Sequence, residues 1–335
     1  MRFWLRPIKL LLVLAQVALL GICVWTALES AASGPRPGNP VLVEIGKGKG
    51  ASAIAGELKA TGVLTKTTPF LWRYRMFYSG KPLKTGQYML PAASPPAAVI
   101  EALIRGRVYL RPVTVAEGLT GREIFPLFTA AGFGTEAGFA AAFKDIAPLG
   151  LLDPQAADLE GYLFPETYRL PKGITAAEIL AMMTNQFKDI FSEPRRREAA
   201  ALGLSVRETV ILASLIEKET ARPEERSLVS SVFHNRLRLG MRLDCDPTIV
   251  YVLKAEGTYL GRLHSKDLKL DSPYNTYLHA GLPPGPICNP GRESLLAALR
   301  PAATEFLYFV SRNDGSHQFS RTLHEHNRAV DLFQR

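Results

Sequence analysis

Length, composition and charge already exclude several classes of protein. The chain has 335 residues, enough for about two domains of ordinary size. A content of 47% hydrophobic and 21% charged residues excludes a disordered or fibrous protein. Forty Lys and Arg against 31 Asp and Glu give a net charge of +9, which favours a polyanionic partner without choosing among anionic lipid, nucleic acid and cell-wall polymer.

The amino terminus predicts a membrane anchor. Residues 10–28 form an almost wholly apolar run of 19 residues, long enough to cross a bilayer, and basic residues precede it at positions 2, 6 and 9. This charge places residues 1–9 in the cytoplasm and the chain after the span outside. A cleaved signal peptide is the alternative, since residues 30–32 are small, but the run exceeds a usual signal segment. The Pro- and Gly-rich stretch 33–40 predicts a short, stiff linker.

The three cysteines, at positions 23, 245 and 288, lack C-x-x-C spacing. They are too few for a disulfide scaffold, and their spacing argues against a cysteine zinc site or a thioredoxin-type redox centre. In an oxidising space Cys245 and Cys288 could pair, but nothing in their spacing demands it. We therefore predict free thiols.

Residues 43–62 and 113–132 share a pattern at a constant offset of 70. Val43, Ile45, Gly48, Ile54, Leu58 and Gly62 recur as Val113, Val115, Gly118, Ile124, Phe128 and Gly132. Alternating apolar residues predict a strand, the first glycine a turn, apolar residues four apart a short helix, and the last glycine its end. The interpretation is a βα unit used twice, repeated more loosely over residues 88–103. Chance alternation of common residues is the alternative.

This V-x-I-x-x-G pattern resembles the small LysM-like modules that bind glycans containing N-acetylglucosamine. The resemblance implies a LysM-like region over residues 41–140. Its first turn, Gly46-Lys-Gly-Lys-Gly50, is not a phosphate-binding loop, because no G-x-x-x-x-G-K-[ST] follows a strand in this chain.

Helix signals dominate the second half, and strand signals come late. The capping box Ser205-Val-Arg-Glu208 opens an apolar helix. Residues 223–239 predict a second helix, with Gly240 just past its end, and residues 246–257 a third. Segments 307–310 and 318–319 predict strands. The fold class is therefore α+β, with a catalytic domain over residues 150–335.

Two glutamates, Glu217 and Glu219, close the apolar helix that follows the capping box. A carboxylate at a helix C-terminus faces the negative end of the macrodipole at a cost of up to about 1 kcal/mol, so stability alone would favour Lys or Arg. Glu217 falls on the helix face of Val210, Ala213 and Ser214. Burial against this face should raise the pKa of its carboxyl, as a general acid near neutral pH requires. A solvated Glu217 in a frayed last turn, paired with Arg222 or Arg226, is the alternative.

Two further segments, 159–168 and 271–291, mix aromatic with polar residues. The second is too rich in Pro and Gly for helix or sheet, and loops of this length in a compact domain are usually functional. Its Tyr, Asn and Thr residues could present stacking faces and hydrogen-bonding groups to a sugar. Structural turns with buried tyrosines would explain either segment equally well.

Taken together, these segments resemble one family. In chain order the motifs are Leu159-Glu-Gly-Tyr-Leu-Phe-Pro-Glu-Thr-Tyr168, Leu215-Ile-Glu-Lys-Glu-Thr220, Val232-Phe-His-Asn-Arg-Leu237, Met241-Arg-Leu243, Asp246-Pro-Thr248, Ser272-Pro-Tyr-Asn-Thr-Tyr277, Gly281-Leu-Pro-Pro-Gly-Pro-Ile287, Asn289-Pro-Gly291 and Leu307-Tyr-Phe-Val310. They are similar to those of the YceG-like (MltG-type) family of endolytic murein transglycosylases. The resemblance covers nearly the whole chain.

The resemblance implies a single-pass lyase of the bacterial inner membrane that faces the periplasm. Such an enzyme cuts nascent peptidoglycan strands between MurNAc and GlcNAc and leaves 1,6-anhydro-MurNAc ends, which would terminate strand elongation. The family's catalytic glutamate falls on Glu217, already singled out by its position. The residues that we predict to bind and orient the sugar are Asn235, Tyr274, Asn275 and Thr276, with Glu160 and Asp246 in support.

The same resemblance sets the expected partners. They are peptidoglycan glycan strands, the membrane, and penicillin-binding proteins or other wall synthases, with no nucleic acid. The chemistry calls for no metal and no organic cofactor.

Three rival interpretations remain at this point. A zinc hydrolase would use His317, His324 and His326, but the two rings of an H-x-H pair on a helix point about 200° apart, and no H-E-x-x-H is present. A serine hydrolase lacks the G-x-S-x-G elbow. The third is a non-catalytic, membrane-tethered glycan-binding scaffold for wall synthases, which would release no muropeptides from sacculi.

Overall fold

The structure is a computed structural model that describes residues 5–32 and 38–334, and it mixes helices with short strands, which confirms the α+β class. The helices are α1 (Leu5–Ala32), α2 (Ala51–Ala60), α3 (Thr67–Phe77), α4 (Pro96–Arg105), α5 (Gly121–Ala130), α6 (Glu136–Phe143), α7 (Ala176–Ile190), α8 (Glu193–Ala201), α9 (Val206–Glu219), α10 (Arg226–Arg238), α11 (Asp246–Glu256), α12 (Arg292–Leu299) and α13 (Leu323–Phe333). The strands are β1 (Pro40–Ile45), β2 (Gly86–Pro91), β3 (Leu110–Thr114), β4 (Thr167–Pro171), β5 (Tyr308–Ser311) and β6 (His317–Ser320). Part of the predicted cytoplasmic tail and most of the predicted linker 33–40 lie outside the described residues.

The chain divides into two compact units. The first comprises Met1–Arg111 and Arg169–Lys172, and the second comprises Pro112–Tyr168 and Gly173–Arg335. The sequence placed the change of domain between residues 140 and 150, whereas residues 112–140 belong to the second unit. The reason is packing, because α6 packs against α7 and the Gly121 N–H donates to Glu160 within that unit.

The first unit has its own core. Strands β1 and β2 pair antiparallel from Pro40 opposite Pro91 to Ile45 opposite Gly86. Apolar side chains from α2, α3 and α4 pack on one face of this pair, and Ile54, Leu58, Phe70 and Tyr88 are almost completely buried. The unit can therefore bury a sizeable apolar interior by itself.

The strand, turn and helix predicted twice at an offset of 70 are present twice. They are β1 with α2 and β3 with α5. The glycines of the two copies also match in conformation. Gly48 and Gly118 have φ of 77° and 76°, and Gly62 and Gly132 have φ of 79° and 85°. These positive values explain why glycine stands at both places, because L side chains rarely adopt them.

In the second unit, α9 is the central helix, with α8, α10, α11 and α12 packed against it. Every side chain from Thr209 to Ile216 is buried. The predicted capping box is confirmed, since the Ser205 hydroxyl accepts from the Glu208 N–H and the Glu208 carboxylate accepts from the Ser205 N–H. The later strands are also confirmed, as β5 and β6 form an antiparallel hairpin against α13.

The structure bears on the predicted membrane anchor and on the predicted free thiols. Within the described residues no single helix is long and apolar enough to span a membrane, although α8 and α9, bent by 87° at their junction, together have the required length and composition. Cys245 and Cys288 are both fully buried free thiols, as predicted.

Candidate active site

Glu217 lies at the end of α9 beneath the loop that runs from residue 286 to 291. The Ile287 N–H donates to Ser214 Oγ at 3.1 Å, which fixes the loop on the helix face that the sequence predicted for Glu217. The Gly291 N–H donates to Glu217 Oε2 at 2.9 Å. Only 8% of the Glu217 side chain is exposed. The glutamate is thus held by a backbone donor on one side and by its own helix on the other.

A second carboxylate and one guanidinium share this place. Arg226 Nη2 lies 3.9 Å from Glu117 Oε2 and 3.9 Å from Glu217 Oε1. Burial and the negative charge of Glu217 raise the pKa of Glu117, and Arg226 opposes them. Arg226 Nε is buried without a hydrogen-bond partner. A buried donor without a partner is costly, so this nitrogen is a point of unsatisfied polarity beside the two carboxylates.

Gly291 makes room for this cluster because it has no side chain. A Cβ at this position would overlap the Glu117 carboxylate.

The sequence analysis did not identify Glu117 as a site residue, although the sequence contains a signal for it. In the pattern that recurs at an offset of 70 residues, the position before the turn glycine is Lys47 in the first copy and Glu117 in the second. The sequence analysis considered Arg226 only as the ion-pair partner of a solvent-exposed Glu217. In the structure the Glu217 side chain is mostly buried.

Glu219 points to a different place. Its carboxyl hydrogen-bonds to the thiol of Cys245, which precedes α11, and burial raises the pKa of Glu219 to about 7. The two glutamates that close α9 therefore have different surroundings. Glu217 faces the loop, Glu117 and Arg226, and Glu219 faces a buried thiol.

Glu160 supports the site from inside the unit. Its two oxygens accept from the Gly121 N–H at 3.0 and 3.1 Å, and Oε1 accepts from Asn289 Nδ2 at 2.8 Å. Burial raises the pKa of Glu160 to about 8. The residue also lines a cavity of about 750 Å³ together with Tyr251 and Lys254. Glu160 thus ties the start of α5 to the loop that covers Glu217.

The raised pKa of Glu160 makes stability depend on pH. The folded protein keeps this proton up to about pH 8, whereas the unfolded chain loses it near pH 4.5, so the free energy of unfolding should fall as pH rises through that window. Glu160→Gln cannot ionise, and its stability relative to the parent should improve by about 1 to 3 kcal/mol between pH 5 and pH 8. Urea unfolding at both pH values measures the change. The matched variant is Glu305→Gln, whose parent side chain is 80% exposed, and an equal pH effect in both variants would contradict the assignment.

Three of the predicted sugar-binding residues use their polar groups within the protein. Asn235 Nδ2 donates to the carbonyls of Thr304 and Phe306. Asn275 is fully buried, and its Nδ2 donates to the backbone carbonyls of residues 268 and 270. Thr276 Oγ1 accepts from the Cys245 N–H at 2.9 Å. In this conformation the three residues hold loops in place, and direct contact with a sugar stays a prediction.

The remaining predicted binding residues lie nearer the surface. The half-buried ring of Tyr274 lies 5.2 Å from that of Tyr251, which lines the same cavity as Glu160. Asp246 is exposed at the start of α11, and its Oδ1 accepts from the Tyr277 hydroxyl at 2.5 Å. Both positions leave polar or aromatic surface that a glycan could contact.

Comparison with known proteins gives a consistent result. Residues 43–332 match the model of the YceG-like family. The chain is 34% identical over 314 residues to an endolytic murein transglycosylase of Bacillus subtilis strain 168, covering 88% of this chain and 84% of that protein. A protein of the same name from Streptococcus pneumoniae serotype 2 is 33% identical over 179 residues, which are 51% of this chain and 32% of its own length. The crystal structure of a yceG-like protein from Listeria monocytogenes superposes with a TM-score of 0.59 at 31% identity, covering 87% of this chain and 98% of that one.

Proposed function

This chain belongs to the YceG-like family, and from that membership we propose that it is an endolytic murein transglycosylase. Its substrate would be nascent peptidoglycan strands, cut between MurNAc and GlcNAc to leave 1,6-anhydro-MurNAc ends. The observation that carries the proposal is Glu217, a mostly buried carboxyl held by the Gly291 N–H beside Arg226 and Glu117. Such a group can hold a proton and present it to a substrate oxygen.

The proposed reaction needs one acid that later acts as a base. The Glu217 carboxyl donates its proton to the glycosidic oxygen as the bond from C1 to that oxygen breaks, and GlcNAc leaves with its hydroxyl restored. The C6 hydroxyl of MurNAc attacks C1, and the Glu217 carboxylate takes the proton from that hydroxyl. No water is consumed, and the enzyme returns to its starting protonation state.

The product tests the reaction type. Muropeptides released from purified sacculi should be lighter by one water than the products of hydrolysis, because the C6 hydroxyl replaces water as the nucleophile. Mass spectrometry of the digested sacculi measures this difference. Reducing MurNAc ends would instead show a hydrolase that needs a second carboxylate. Glu117 would then be the first to replace, since Glu160 is buried in hydrogen bonds and Asp246 lies at the start of another helix.

Glu117 should influence the pH range of activity. Its negative charge opposes a second negative charge on Glu217, and Arg226 favours one. Glu117→Gln removes the repulsion by Glu117 and leaves the attraction by Arg226, so activity should be lost at lower pH on the alkaline side, by about half a unit to one unit. The pH profile of kcat/KM measures this shift.

Other charges near this cluster provide the control for Glu117→Gln. Lys218 donates to the Gly118 carbonyl, and Glu293 also raises the pKa of Glu117. Both residues are unchanged in Glu117→Gln. The control variant is Glu293→Gln, which removes a nearby negative charge whose effect on Glu117 is weaker than that of Glu217. The alkaline limb of the pH profile should therefore move less in Glu293→Gln than in Glu117→Gln. An unmoved limb in Glu117→Gln would mean that this carboxylate does not act on the acid.

We further propose that α1 anchors the protein in the bacterial inner membrane, with its amino terminus in the cytoplasm and its catalytic unit in the periplasm. Support comes from the continuous helix Leu5–Ala32 and from its exposed apolar side chains, among them Leu11, Leu14 and Leu20. The charged residues that precede the apolar run are all basic. We also propose that the LysM-like region binds glycan and that the protein contacts wall synthases. The separate core of the first unit supports glycan binding by an independently packed module.

A further inference from the structure

Helix α3 in the first unit has two apolar faces. One face packs into the core, where Phe70 is fully buried and Leu71 and Tyr74 are partly buried. On the other face Trp72, Met76 and Phe77 are 43%, 62% and 60% exposed. A surface helix in water normally presents polar residues outward. An outward face of Trp, Met and Phe therefore marks an interaction surface.

This outer face is continuous with the apolar helix α1. The ring of Trp25 on α1 lies 5.0 Å from that of Trp72 and 5.4 Å from that of Phe77. The guanidinium of Arg73 lies 4.3 Å above the Trp25 ring. We call the side chains of Trp25, Trp72, Met76 and Phe77 the aromatic surface. It begins where the exposed apolar part of α1 ends.

The chain segment around α3 has charge of one sign, whereas α1 carries one acidic residue, Glu29, four residues after Trp25. From residue 58 to residue 100 the chain has no Asp or Glu and six basic residues, at positions 59, 66, 73, 75, 81 and 84. Basic residues near a bilayer are attracted to anionic lipid headgroups, and aromatic side chains collect at the boundary between headgroups and acyl chains. Apolar, aromatic and basic side chains on one short helix are the combination that an interfacial helix needs.

We propose that the aromatic surface lies in the headgroup region of an anionic bilayer, so that α3 rests on the membrane into which α1 inserts. This inference rests on the proposed anchoring by α1. The occupant is lipid, because the surface adjoins the apolar helix α1 and the chain segment around α3 carries only positive charge. The first unit would then be held at the bilayer surface instead of moving freely on a tether.

The three tryptophans of the chain, Trp4, Trp25 and Trp72, allow a direct test. Full-length protein with Trp4→Phe and Trp25→Phe keeps Trp72 as its single tryptophan. The phenylalanine at position 25 still places an aromatic ring beside Trp72. In vesicles rich in phosphatidylglycerol, lipids brominated on the upper acyl chain should remove most of the Trp72 fluorescence relative to unbrominated lipids. The control has all three tryptophans replaced by Phe and carries Leu151→Trp. Leu151 is 96% exposed in the second unit, and the new tryptophan should not be quenched.

A companion variant separates this inference from the anchor. With Trp4→Phe and Trp72→Phe, the single Trp25 reports on α1. Quenching of Trp25 without quenching of Trp72 would overturn the inference and leave the anchor in place. Absence of quenching in both variants would overturn both proposals. Blue-shifted Trp72 emission that brominated lipids do not quench would show that protein covers the surface, through a second copy or another chain, and would also overturn the inference.

Discussion

Glu217→Gln should abolish cleavage of glycan strands while the protein still folds. Gln keeps the size of the side chain and can still accept a hydrogen bond from the Gly291 N–H, but it cannot donate or recover a proton. Loss of acid–base catalysis should lower kcat by a factor of at least about 10² to 10⁴. Release of muropeptides from purified sacculi measures the rate, and circular dichroism measures the fold.

Glu219→Gln is the matched control for this variant. The two glutamates are two residues apart, about 200° around the helix, and both close α9. Glu219 is a demanding control, because burial raises its pKa to about 7 and it could hold a proton near neutral pH. It faces Cys245 rather than Arg226, so its replacement should change kcat little. Full activity in Glu217→Gln would overturn the mechanism and require another acid, whereas absence of muropeptide release by the parent protein would favour the scaffold. Loss of activity in Glu219→Gln alone would make Glu219 the acid.

Asn289→Ala should destabilise the second unit and disturb the loop over Glu217. Asn289 is completely buried, its Oδ1 accepts from the Leu163 N–H at 2.9 Å, and its Nδ2 donates to the Leu119 carbonyl and to Glu160. Alanine leaves the Leu163 N–H without its acceptor and Glu160 without a donor. Each buried unsatisfied group costs about 1 to 3 kcal/mol, so the free energy of unfolding should fall by about 2 to 4 kcal/mol.

The comparison for Asn289→Ala is Asn185→Ala. Asn185 is an exposed residue in the interior of α7, where alanine is the better helix former, so its replacement should be neutral or slightly stabilising. Urea unfolding of both variants measures the two effects. Equal stability of the two variants would show that Asn289 does not join the segments of the site. Activity of Asn289→Ala, measured at a temperature where it is folded, should also fall, because Asn289 lies two residues before Gly291.

Local signals in the sequence predicted much of the second unit correctly. The capping box at Ser205 set the start of α9, and Gly240 and Gly257 follow the ends of α10 and α11 in left-handed conformations. The repeat predicted two strand–turn–helix segments. Each of these features depends on residues a few positions apart, so the printed sequence contains the whole cause.

The candidate active site was predictable only in part, because just one of its residues conflicts with the stability of its own helix. Glu217 drew attention because a carboxylate at the C-terminal end of an apolar helix opposes stability, and that conflict is visible within one helix. Asn275 and Thr276 were singled out by the polar composition of their loop, yet both are buried. Composition indicates which groups a loop carries, but it does not indicate whether they face solvent or the loop's own backbone.

The sequence by itself thus determined the fold class, the helices α9, α10 and α11, the paired strand and helix segments, and the glutamate at the end of α9. Only the tertiary structure decided that residues 112–140 pack with the second unit, that Glu117 shares Arg226 with Glu217, and that Asn289 joins Leu119, Glu160 and Leu163. The physical reason is separation along the chain. Glu117 and Glu217 are 100 residues apart and Asn289 and Leu119 are 170 apart, and such neighbours arise from the packing of whole helices, which no local pattern of residues records.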